Sequence, residues 1–241
     1  MRDIDQLIEA LSDRRVTIRA TAAVHLGNSQ DGRAVSALIG VLSDANYGVR
    51  MTAVKSLSEL LKGSKSPRKL RRLLRDRDEL VRIETAEALA RVGDQAALPS
   101  LWRAFRDPSP LVRSYVAAAI GELGRGRDIA ALEREIGRER SDTARVGILG
   151  ALVNRGRKNA MSELLAQLES RDYRVRCATA NTLPDLATRG ETREAVLAAL
   201  RKALSKESTV AARSSILSSI RLIQGTSKRR SSRRATSSRG V

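Results

Sequence analysis

The chain is poor in rings and in sulfur. Aromatic residues make up 2% of its 241 residues, and it holds one cysteine (Cys177), one histidine (His25) and one tryptophan (Trp102). A lone cysteine excludes an internal disulfide and a cysteine-based zinc site. A lone histidine excludes a histidine-cluster metal centre. Rings this scarce cannot supply the stacking platforms on which single-stranded nucleic acids are read. Long apolar runs are missing too: nothing approaches the roughly 18 residues of a membrane-spanning helix. The N-terminus Met1-Arg2-Asp3-Ile4-Asp5 sets acids where a secretory leader needs an apolar stretch. The expectation is a cytoplasmic protein with no membrane span. Negative charge is in the minority, with 27 acids against 45 lysines and arginines, a net charge of +18.

What is present is a repeat. An apolar-arginine pair recurs at Arg19, Arg50, Arg82, Arg113, Arg145, Arg176 and Arg213, at steps of 31, 32, 31, 32, 31 and 37 residues. Four residues after each arginine stands Ala23, Val54, Ala86, Ala117, Leu149, Ala180 or Leu217, and seven after it Leu26, Leu57, Leu89, Ile120, Leu152, Leu183 or Ile220. With the residue before the arginine, these positions form one broad apolar face of a helix. A second periodic segment precedes each of these helices, as in Val35/Leu38/Ile39/Leu42 and Met161/Leu164/Leu165/Leu168. Each repeat is therefore two helices, A and B, joined by a tight turn. One such pair cannot bury its own apolar face, so neighbours must stack. The fold class predicted is all-α, a right-handed α-solenoid of about seven two-helix repeats.

Six positions before the arginine stands Asp13, Asp44, Asp76, Asp107, Glu139, Ser170 or Glu207. An acid at the A–B turn, then Val-Arg, then an Ala-rich segment ending in Leu-Gly resembles HEAT repeats. The short period and phrases such as VRIETAEALARVGD and VRSYVAAAIGELG resemble the phycobilisome-lyase-type subclass. The resemblance covers about residues 1–224. It implies a ladder of acid–arginine contacts between successive repeats, with B helices lining a concave face. Ladder candidates are Asp13, Arg19, Asp44, Arg50, Asp76, Arg82, Asp107, Arg113, Glu139, Arg145, Arg176, Glu207 and Arg213, and Ser170 breaks the pattern in repeat six. Pro184, together with the long step after it, predicts a kink near 184–192.

The charge divides in two. Residues 225–241, GTSKRRSSRRATSSRGV, hold six basic residues and no acids, and are expected to be disordered. Without them the body is still +12, from 39 basic and 27 acidic residues. Loops leading from B helices to the next A helix carry Lys65, Arg125, Arg127, Arg155, Arg157 and Lys158. Cations at helix C-termini offset the macrodipole, and that accounts for most of this edge. It does not account for Arg68, Arg71, Arg72 and Arg75, a stripe on the third A helix, or for Arg229, Arg230, Arg233 and Arg234 in the tail. These are candidates for an anionic partner, a nucleic acid or other polyanion.

The resemblance also points to enzymes. Deoxyhypusine hydroxylases of this repeat class need several His-Glu pairs, which one histidine excludes. HEAT-like alkyl-purine DNA glycosylases rely on concave aromatic residues, and here only Tyr115 occupies such a position. Bilin lyases, or chaperone-like subunits related to them, share the repeat but offer no short motif to match. The function expected is a monomeric, non-enzymatic scaffold with no cofactor and no metal. It binds a protein partner on the concave face through Thr52, Lys55, Glu84, Glu87, Arg91, Tyr115 and Asn181. The alternative is a sequence-nonspecific nucleic-acid binder using residues 62–77 and the tail, and after it a bilin lyase or chaperone-like subunit.

Overall fold

The structure is a computed structural model. It describes residues 3–157, 159–187 and 190–237, with side chains for all of these except 190–191 and 226–237. The described residues form fourteen α-helices, some extended by a single 3-10 turn, and no strand. In chain order the A elements are α1 (Ile4–Ala10), α3 (Gly32–Gly40), α5 (Arg68–Arg72), α7 (Leu98–Ala104), α9 (Gly126–Ile136), α11 (Ala160–Ala166) and α13 (Gly190–Lys206). The B elements are α2 (Val16–Gly27), α4 (Tyr47–Leu60), α6 (Glu79–Val92), α8 (Pro110–Leu123), α10 (Asp142–Asn154), α12 (Tyr173–Leu186) and α14 (Val210–Ser237). The chain is an all-α repeat of two-helix units. It divides into two compact units, Met1–Arg134 and Glu135–Val241.

In the first unit α2, α4, α6 and α8 pack side by side in that order. The periodic positions explain why. Ala23, Leu26, Val54, Leu57, Ala86, Leu89, Ala117 and Ile120 are all fully buried. The A elements close the other side of this core with Leu38, Leu70 and Leu101. Small residues let the B helices approach closely: a Cβ added to Gly27 would lie 2.6 Å from Cβ of Ser56. The turns are capped from within, as when Asn46 accepts from the backbone N–H of Gly48 (2.9 Å) and Asp78 from that of Leu80 (3.0 Å). Gly93 ends α6 at φ 81°, a conformation that suits glycine. Gly124 ends α8 differently, in an extended conformation, and its place is set by space: an added Cβ would lie 2.6 Å from the carbonyl oxygen of Ile120.

In the second unit α10 packs on α11 and α12, and α14 packs on α12 and α13. Leu149, Leu164, Leu183, Leu200 and Ile216 fill its core. Pro184, where a kink is expected, lies in the last turn of α12, which ends at Leu186. Proline has no N–H to donate to the carbonyl four residues back, that of Ala180. The buried hydroxyl of Ser219 on α14 lies 2.7 Å from that oxygen and 2.9 Å from the carbonyl of Ser215. Ser219 therefore faces inward, while Ser214 and Ser218 are exposed. The backbone of α14 is helical past residue 225, where the sequence places the start of a tail.

Candidate functional site

The A–B turns carry a directional ladder. Arg19 donates from Nε and Nη2 to both carboxylate oxygens of Asp44 (2.7 and 3.0 Å). Arg50 does the same to Asp76 (2.9 and 2.7 Å), and Arg82 to Asp107 (2.8 and 3.0 Å). In the second unit Arg176 holds Glu207 at 2.6 and 2.8 Å. Each arginine thus binds the acid of the repeat that follows. Its Nη1 turns back to its own repeat, onto the carbonyls of Asp13, Asp44, Asp76 and Ser170 respectively. Arg113 likewise donates to the carbonyl of Asp107 at 2.8 Å, and Glu139 accepts from the N–H of Ser141 at 2.8 Å.

Three members of the set behave differently. Asp13 is bound within its own turn by Arg15 (3.0 and 2.9 Å), which holds its carboxyl down at about 2. Arg145, which would face Ser170, donates to the carbonyl of Ile136 at 2.9 Å, and Arg213 to that of Leu204 at 3.4 Å. The rungs are partly buried. Arg50 is 5% exposed and Asp76 7%. Arg19 pulls the Asp44 carboxyl below its ordinary range. Burial pushes Asp76 up, but the bonds from Arg50 and from the backbone of Asp78 leave it lowered on balance.

On the B-helix face of the first unit, Glu84, Glu87, Arg91 and Tyr115 come together. The Arg91 guanidinium donates to Ser58 Oγ (2.5 Å) and to Glu84 (3.2 Å), and lies 3.8 Å from Glu59 and 4.0 Å from Glu87. Lys62 bonds Glu59 at 2.6 Å. Tyr115, half-buried on α8, has its hydroxyl pushed up by burial and by the charges of Glu87 and Glu84. Lys55 is exposed on α4, while the Thr52 hydroxyl is spent on the carbonyl of Gly48 (2.8 Å). Asn181 is exposed on α12, in the other unit.

The basic stripe divides on inspection. Arg68, Arg72 and Arg75 are exposed beside the buried Leu70 and Leu74. Arg71 turns away, its Nη1 donating to the Ser66 carbonyl (2.7 Å) and lying 3.3 Å from Asp94. Asp94 is itself buried and accepts from the backbone and hydroxyl of Ser66 (2.8 and 2.7 Å). Trp102 is not a plain core residue. Its ring sits edge-on to Phe105 at 5.7 Å, and its N–H donates to Asp128 of the next repeat at 3.0 Å. Asp94 and Asp128 therefore tie neighbouring repeats at the edge read from sequence as basic. Their signal was modest, an acid opening the A segment after a helix-ending glycine. Lys65, Arg125, Arg127, Arg155 and Arg157 are exposed. Lys158 and the side chains of Arg229, Arg230, Arg233 and Arg234 lie outside the described residues.

Among the described residues no group of three or more His, Cys, Asp or Glu could hold a metal ion, and no helix is long and apolar enough to cross a membrane. A comparison with curated proteins finds no match. Among solved structures, the complex of CpcE and CpcF of phycocyanin lyase from Nostoc sp. PCC7120 is similar with a TM-score of 0.60 at 18% identity, over 92% of this chain and 95% of that one. YibA of Escherichia coli is similar with a TM-score of 0.52 at 22% identity, over 90% and 81%. At such identities the likeness is one of fold. The family of HEAT repeats matches residues 4–77 and 66–145. With its turn acids, ladder arginines and stacked B helices, the chain belongs to the HEAT-repeat family.

Proposed function

We propose that this chain is a non-enzymatic interaction protein that receives a protein partner on the B-helix face of its first unit. The observation that carries the reading is the cluster around Tyr115, where acids and bases from successive B helices hold one another in place. Glu84 is 16% exposed and Arg91 31%, so their geometry is set before any partner arrives. A preorganised patch loses less side-chain freedom on binding. Tyrosine and arginine are also the residues that most often anchor protein interfaces. The mixed signs suit a surface of complementary charge better than a uniform polyanion. A chain of the CpcE–CpcF complex is similar in fold, and that chain is found joined to a partner chain. That supports a protein partner here and carries no lyase chemistry.

The test uses the full chain as bait and measures the affinity of each captured protein by calorimetry. Tyr115→Ala and the double reversal Glu84→Lys/Glu87→Lys should each weaken binding of the genuine partner at least about tenfold, the size of an interface hot spot. Parent-like affinity in both variants for every captured protein would move the site off this face.

A further inference from the structure

Between the third and fourth A elements of the first unit, α5 with its 3-10 turn and α7, runs a groove of about 740 Å³. Eight arginines and two acids line it. Both acids are already taken: Asp76 is held by Arg50 and Asp107 by Arg82. Arg77 donates to the carbonyl of Ala45 at 2.8 Å and Arg71 is turned to Ser66. Arg68, Arg72 and Arg75 stand out of this network. They are exposed, and among the described residues their side chains make no hydrogen bond or ion pair. On the facing wall Arg103 is exposed beside Ser100 (3.2 Å), and Arg106 is exposed with its guanidinium 5.9 Å from the centre of the Phe105 ring.

We infer that this groove binds the phosphodiester backbone of a nucleic acid without reading its bases. Three arguments converge on that occupant. Along the wall, Arg68, Arg72 and Arg75 are spaced by about 6 Å and again about 6 Å of helical rise, a row of cations for a ligand that repeats its charge. The guanidinium fork is the side chain best suited to phosphate oxygens. Finally, the groove offers donors and no free carboxylate. A peptide brings backbone N–H groups that would find there no free carboxylate and only the Ser100 hydroxyl to accept them, whereas a phosphodiester brings acceptors only. The groove offers bases no aromatic platform: its aliphatic lining is Leu74, Ala96, Pro99, Ala104 and Pro108, and the adjacent Phe105 is 2% exposed. This surface is separate from the B-helix cluster and does not depend on it.

The experiment is fluorescence anisotropy of the full chain with a labelled duplex of about 20 base pairs, in DNA and RNA forms, between about 50 and 200 mM salt. Binding should be insensitive to base sequence and should weaken steeply with salt. Arg72→Glu/Arg75→Glu should weaken it at least about tenfold and reduce the log–log salt slope by about 2, with the melting temperature unchanged because both side chains are exposed. A control with the same change in net charge, Arg201→Glu/Arg221→Glu on α13 and α14, should lose far less. Poly-L-glutamate should compete poorly at equal charge concentration. The proposal is overturned by any of four results: no binding by the full chain at low salt, a groove variant equal to the parent, a control that loses as much as the groove variant, or poly-L-glutamate that competes charge for charge, which would make this an acidic-polypeptide site.

Discussion

The hydroxyl of Ser219 donates to the carbonyl of Ala180 at 2.7 Å, supplying the bond that Pro184 cannot make. Ser219 is 1% exposed and Ala180 fully buried, so neither group has water as an alternative. Ser219→Ala should cost about 1–3 kcal/mol, the penalty of a buried acceptor left unpaired. In a Pro184→Ala background, where residue 184 regains its N–H, the same change should cost about 1 kcal/mol less. Denaturant titration of the four proteins of this cycle checks the coupling. Equal costs in both backgrounds would detach the serine from the proline.

The ladder should be unequal. Removing Arg50 leaves Asp76 charged and nearly buried, so Arg50→Ala should cost about 3–5 kcal/mol. Arg145 has no acid at position 170, and its side chain is 29% exposed. Arg145→Ala should cost markedly less in the same chemical denaturation experiment. The missing rung can also be restored. The N–H of Asp172 already points at Ser170 Oγ (3.3 Å), as the N–H of Asp78 does at Asp76 (2.9 Å). Ser170→Asp should therefore stabilise by on the order of 1 kcal/mol, and only while Arg145 is present.

Acid should loosen the rungs in a defined window. The bonds from Arg176 hold the Glu207 carboxyl at about 2 instead of 4.5, with the N–H and hydroxyl of Thr209 helping and burial opposing. A carboxyl depressed on folding contributes stability above its unfolded value and loses it as pH falls through the folded one. Melting temperature should thus be level above pH 4.5 and fall progressively towards about pH 2. Glu207→Gln should start lower and show a shallower fall. A parallel pair of curves would remove Glu207 from the transition.

Two glycines should differ by mechanism. At Gly93 an added Cβ meets nothing within 4 Å, and only the positive φ is strained, so Gly93→Ala should cost about 1–2 kcal/mol. At Gly27 the Cβ, Oγ and Cα of Ser56 all lie within 3 Å of the added atom. Gly27→Ala must push α2 and α4 apart and should cost more than Gly93→Ala. Thermal melting of the two variants orders them.

The repeat was legible because its signal is one-dimensional. The residue before each arginine and those four and seven after it can be counted along the chain, and nearly all are buried. The acid–arginine pattern was legible for the same reason, although Asp44, Asp76, Asp107 and Glu207 are each held by the arginine of the repeat before. The candidate surfaces were less so. Glu59 and Ser58 join Arg91, and Arg103 and Arg106 face Arg72 and Arg75, only because neighbouring repeats bring them together, and nothing in a single repeat announces it. The fate of Arg71 was hidden likewise: its partner Asp94 stands 23 residues on, off the repeat spacing. A helical stripe shows which side chains share a face, not which of them the next turn has claimed.

The direction of the rungs bears on how such a chain can change its length. The four rungs from Arg19, Arg50, Arg82 and Arg176 reach forward by one repeat, and each arginine settles its remaining donor at home. A repeat duplicated inside the array would therefore arrive with one hand to offer and one to receive, and leave no charge stranded. Losing a whole repeat is equally silent. Shifting the spacing between an arginine and the next acid is not, because the pair is bidentate and tolerates little displacement. Repeats can be gained or dropped entire, while an insertion must lie outside the stretch that joins one rung to the next.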